Sequence, residues 1–177
     1  TDNHRYRLAN RSAAELAAGA IDIPRGHQTI TARIQNSRDI LELIMVTDAL
    51  RRFDNTPIHL VMPCVAYQRQ DRSCVRGEAH SLKAFASVIN GLGFERVTAL
   101  DPHSDVMGAC FDRFHYIDQA TIIGRFDELN KAILIDPSKT VFVAPDSGSN
   151  KKTSELAKLY GHSRFVRADK LRDMSTG

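Results

Sequence analysis

The chain has 177 residues, 42% of them apolar and 25% charged, with 10 Gly and 6 Pro. That composition excludes a disordered, collagen-like or low-complexity chain, and the length suffices to bury a core without staples. The net charge of +3, from 24 basic and 21 acidic residues, is too small an excess for a dedicated nucleic-acid binder, and it leaves a phosphorylated small molecule open as a ligand.

In chain order, Ser12 to Ala18 holds helix formers that Gly19 and Pro24 cut short. Thr29 to Ile34 alternates apolar with polar residues, a strand pattern. Asn36 is placed to cap a helix with Asp39 in its first turn, and Ile40, Leu43, Ile44 and Leu50 carry helical spacing to about residue 52. The Asp54-Asn55-Thr56-Pro57 cluster is a turn. Ile58 to Met62 reads as a short buried strand ended by Pro63. Leu82, Phe85, Ala86 and Ile89 mark a second amphipathic helix closed by Gly91 and Gly93. Val97 to Leu100 is a strand, residues 119–131 a helix, and Thr140 to Val143 a strand. Lys151 to Tyr160 is a helix closed by Gly161, and Phe165-Val166 begins a further strand. Strands alternate with helices through short connections, which predicts an α/β fold with a parallel sheet flanked by helices.

Cys64, Cys74 and Cys110 form no CxxC pair, and an odd count without a secretory signal fits a reducing compartment. The longest apolar run, Leu43 to Val46, is far short of a membrane span. A cytoplasmic protein with no membrane and no nucleic-acid partner is expected.

Three of the predicted strands end in a burst of polar residues. The first runs into Pro63-Cys64-Val65-Ala66-Tyr67-Gln68-Arg69-Gln70-Asp71-Arg72, the second into Asp101-Pro102-His103-Ser104-Asp105, the third into Pro145-Asp146-Ser147-Gly148-Ser149-Asn150. Ligands of open parallel sheets sit beyond the carboxyl ends of the strands, so the three bursts are expected to converge on one crevice. Arg69 and Arg72 suit bidentate phosphate binding, and Gln70 a base or ribose edge; a solvated loop with an internal Arg–Asp pair is the plain alternative. His103 between two carboxylates suits magnesium completed by phosphates, or else an Asp–His bond that shapes a turn. Asp146 is a second candidate metal contact, and the helix start after it suits an anion or simple capping by Ser149 or Asn150. Lys170 and Arg172 stand at alternate positions, as a charge clamp or a solvated basic patch.

In order and spacing, Asp48 to Arg52, Pro63 with Tyr67 to Arg72, Asp101 to Asp105, Pro145 to Gly148 and Lys170-Leu171-Arg172 resemble the ribose-phosphate pyrophosphokinases over about residues 30–172. The resemblance implies two similar domains of the phosphoribosyltransferase type: an N-terminal one over 1–145, and the beginning of a second over 146–177. It implies transfer of the β,γ-diphosphoryl group of ATP to the anomeric hydroxyl of ribose 5-phosphate. ATP then falls to Arg69, Gln70, Asp71 and Arg72, Mg2+ to His103 and Asp146, and transition-state charge to Lys170 and Arg172. A homo-oligomer is expected. The family's adenine-reading loop is not found before residue 30, and its ribose 5-phosphate loop is expected after residue 177. The metal segment reads Ser104-Asp105-Val106 where the family has Ala-x-Gln. These departures leave open a larger acceptor such as ADP-ribose, or a non-catalytic synthetase-associated subunit.

Overall fold

The computed structural model describes residues 4–7, 28–53, 55–162 and 164–169. The helix expected over 12–18 lies outside them. The chain divides into two compact units, Thr1–Ile117 and Asp118–Gly177, and each is described by itself.

In the first unit a parallel sheet forms around central strands whose buried apolar residues alternate with half-buried ones. Five strands, β1 (His4–Arg7), β2 (Gln28–Thr31), β3 (Ile58–Met62), β4 (Arg96–Leu100) and β5 (Phe114–Ile117), lie side by side in that order. All four pairings are parallel, with Leu60 opposite both Ile30 and Val97. Along β3, Ile58, Leu60 and Met62 are buried while His59 and Val61 between them are half-buried. Three helices cross between strands: α1 (Ser37–Phe53), α2 (Ser81–Gly91) and α3 (Val106–Cys110). Leu43, Val46 and Leu50 of α1, Leu82, Phe85, Ala86 and Ile89 of α2, and Met107 of α3 join the buried β3 and β4 residues in one core. The three helices therefore cover the same face of the sheet, as right-handed crossovers that always step in one direction require.

Local chemistry sets the helix ends. The Asn36 side chain accepts from the Asp39 amide at 3.2 Å, and the Asp39 carboxylate accepts from the Asn36 amide at 3.1 Å, a reciprocal N-terminal cap. Arg51 and Arg52 in the last turn of α1 oppose its negative end. Beyond α2, Gly93 adopts φ +60° and donates its amide to the Asn90 carbonyl at 2.9 Å. That left-handed step suits glycine, and it reverses the chain into β4.

The second unit contains α4 (Gln119–Ile123), α5 (Asp127–Ile135), β6 (Val143–Ala144), α6 (Asn150–Leu159) and β7 (Val166–Arg167), with β6 and β7 parallel. The single helix expected over 119–131 is two helices, because the chain turns at Gly124-Arg125-Phe126 and the Asn130 side chain donates to the Gly124 carbonyl at 2.7 Å. The strand expected over 140–143 is ladder-paired only at Val143–Ala144, just after Phe142, whose ring is stacked on Tyr160. The sequence pattern marks no element at β1, α3 or β5. The five-residue helix α3 buries only Met107, and β5 buries no residue, so neither shows an apolar period. No helix among the described residues is long and apolar enough to cross a membrane.

Candidate functional site

Adjacent parallel strands put the first two polar bursts at one edge. Met62, the last residue of β3, pairs with Ala99 near the end of β4, so residues 63–72 and 101–105 leave the sheet side by side. Both departures use backbone that L-residues rarely adopt: Tyr67 has φ 60° and Asp101 has φ 42°. Such conformations cost about 1–3 kcal/mol each and persist only where the surroundings enforce them. At Tyr67 the enforcing contacts are visible. The Gln70 amide donates to its carbonyl at 2.9 Å, and its ring lies against Phe85 of α2 with centroids 5.8 Å apart.

The turn so formed opens a cleft of about 540 Å³ lined by Cys64, Val65, Tyr67, Gln68, Arg69 and Gln70. The four consecutive polar residues 68–71 of that turn divide their work. Arg69 and Gln70 are exposed. Gln68 and Asp71 instead reach the neighbouring loop: the Gln68 side-chain oxygen accepts from the His103 amide at 3.2 Å, and the Asp71 carboxylate accepts from the Ser104 hydroxyl at 2.5 Å. The other Asp71 oxygen accepts from Arg72 Nε at 2.9 Å, so the internal Arg–Asp pair weighed from sequence is present. Asp71 is only 4% exposed. Its pKa is lowered to about 2, first by the Arg72 hydrogen bond and then by that of Ser104, against the opposing effect of burial. Further along, the Glu78 carboxylate accepts from the Cys74 amide at 2.6 Å and the Val75 amide at 3.2 Å, closing the loop that leads into α2.

His103 is exposed, with Asp101 and Asp105 two residues to either side. Among the described residues no three His, Cys, Asp or Glu side chains gather into a metal cluster. Magnesium is commonly held by one or two carboxylates, with water and substrate phosphates completing its shell, and Asp101 and Asp105 are the carboxylates beside His103 in sequence.

Asp146 belongs to the second unit, between β6 and α6. It is half-buried and caps the short turn Ser147–Ser149: its Oδ1 accepts from the Ser149 amide at 3.0 Å, and its own amide donates to Ser149 Oγ at 3.3 Å. The amide expected to receive an anion is thus already served by Asp146 itself. Lys170 and Arg172 lie outside the described residues. Sequence reasoning gave no role to Gln68 or Ser104. The only signal at either was a polar side chain beside an assigned one, and their partners stand 35 and 33 residues away.

Residues 27–93 match the N-terminal domain of ribose phosphate pyrophosphokinase. The chain is similar in sequence to the ribose-phosphate pyrophosphokinases. One such relative, from Thermotoga maritima, is 31% identical over 169 residues, which is 90% of this chain and 53% of the relative. Another, from Staphylococcus haemolyticus, is 32% identical over 121 residues, 68% of this chain and 37% of the relative. The chain thus spans about half the length, or less, of these curated ribose-phosphate pyrophosphokinases. Among solved structures, phosphoribosylpyrophosphate synthetase from Mycobacterium smegmatis shares the fold, with a TM-score of 0.67 at 22% identity over 83% of this chain and 48% of that one. The expected α/β architecture, a parallel sheet flanked by helices, is borne out.

Proposed function

We propose that the chain is part of an enzyme that transfers the β,γ-diphosphoryl group of ATP to the anomeric hydroxyl of ribose 5-phosphate, giving phosphoribosyl pyrophosphate and AMP. The observation that carries this reading is the pair of joined loops at the ends of β3 and β4. One presents Arg69 and Gln70 to a cleft and the other presents His103, within a domain matched to that family.

In this reading Arg69 and Gln70 hold ATP, with Arg72 beside them in sequence; Asp71, expected among the ATP contacts, instead holds Arg72 and Ser104. In the first unit His103 would help to hold Mg2+, which would neutralise phosphate charge; Asp146 is the metal candidate of the second unit. Lys170 and Arg172 stabilise charge on the transferring group. The anomeric oxygen forms its bond to the β-phosphorus, the bond to the α,β-bridging oxygen breaks, and AMP departs with that oxygen. Positioning and charge neutralisation suffice for such a transfer, and no covalent nucleophile on the protein is needed. The division of domains at 145/146, a homo-oligomeric assembly and a cytoplasmic location belong to the same proposal.

A phosphorus NMR time course on the full-length protein with ATP, magnesium and ribose 5-phosphate tests it. AMP appearing together with a sugar diphosphate is the expected result. ATP left unchanged with ribose 5-phosphate and with ADP-ribose alike overturns the assignment, and AMP formed only with ADP-ribose moves the acceptor.

A further inference from the structure

The polar side chains of residues 68–71 divide between two directions. Arg69 and Gln70 are left exposed, while Gln68 and Asp71 reach the loop that carries His103. The two loops are joined at consecutive residues: the backbone of His103 donates to Gln68, and the side chain of Ser104 donates to Asp71. Among the described residues Asp71 is the one buried acidic residue in a loop of the first unit, and Ser104 is half-buried beside it. A charged acceptor shielded from water makes the hydroxyl donor worth more than a surface contact. Both loops also leave their strands through left-handed residues, Tyr67 and Asp101, whose cost is recovered only if the loops hold one shape.

We propose that Ser104 and Asp71, assisted by Gln68, form a latch that holds the His103 loop at a fixed spacing from the Arg69–Gln70 loop. Ser104 and Asp71 are then positioning residues, acting through His103 and Arg69 without touching the ligand. The inference rests on the proposed function for the identity of the ligand, a magnesium-nucleotide complex. Its geometry stands apart from any turnover. A nucleotide held by one loop alone depends little on the latch. A nucleotide bridged by a cation to the second loop depends on it fully.

The test uses the full-length protein and calorimetric titration with ATP, once with magnesium and once in EDTA. Ser104→Ala is expected to weaken binding of the magnesium complex about tenfold while changing metal-free ATP less than threefold. Ser104→Thr, which keeps the hydroxyl, is expected to restore the parent affinity. Equal losses in both titrations, or no loss in either, overturn the latch. Hydrogen exchange at the His103 amide reads the same contact without ligand. Faster exchange in Ser104→Ala supports the latch, and unchanged exchange overturns it. A parent protein that makes no AMP refutes the proposed function, and these readouts still decide the latch.

Discussion

At the residue scale, Asp71 shows how one carboxylate serves structure next to a binding cleft. Its ordinary pKa of 3.8 is lowered to about 2 by Arg72 and Ser104. A depressed folded-state pKa means the stabilisation is complete above pH 4 and is lost as pH falls through that window toward 2. The amount is at most about 2 kcal/mol, since Arg72 is solvent-exposed and its pairing screened. Urea midpoints at pH 5 and pH 2.5 should therefore differ more in the parent than in Asp71→Asn; equal differences would refute the assignment. Lys170 carries a prediction of another kind. If it neutralises transition-state charge, Lys170→Ala lowers kcat by about 10² or more while ATP still binds. Near-normal turnover removes it from the mechanism.

At the scale of elements, α2 and its exit turn give a paired prediction. Gly93 sits at φ +60°, and a Cβ built there comes within 3.4 Å of the Arg51 guanidinium. Arg51 in turn donates to the Leu92 carbonyl. Gly93→Ala should cost about 1 kcal/mol or more, read as a lower Tm. Gly91, at the helix end with open space around its Cα, should accept Ala with no loss. The same contrast explains what was legible. For β3 the sequence pattern marked the strand's own limits, since period and punctuation coincide in Ile58 to Met62 followed by Pro63. The helix at Val106–Cys110 and the strand at Phe114–Ile117 were not legible. There the chain is placed by packing, through the ring contact of Phe111 with Phe114 and the Asn90 side chain donating to the Cys110 carbonyl.

At the scale of the whole molecule, the first unit depends on one core beneath a parallel sheet. Leu60 lies at its centre with no exposure, flanked by β2 and β4. Leu60→Ala should cost about 2–5 kcal/mol in denaturant unfolding, and a loss below about 1 kcal/mol would contradict a packed centre. The candidate site was legible at the ends of strands, because each polar burst is continuous in sequence. Convergence of the first two bursts follows from β3 and β4 being neighbours, which strand patterns alone do not specify. The pairing of Asp71 with Ser104 was not legible, because no local rule connects residues so far apart.

That separation also orders events in time. The contacts from Gln68 to His103 and from Asp71 to Ser104 close 35 and 33 residues of chain, and β3 and β4 must meet before either exists. Loop closure of this kind comes after local helix formation. Stopped-flow measurements on Ser104→Ala should give the parent's folding rate with faster unfolding, the signature of a contact made after the rate-limiting step. The cleft then assembles after the sheet beneath it, so a protease or a brief warming should disable it while that sheet is still intact.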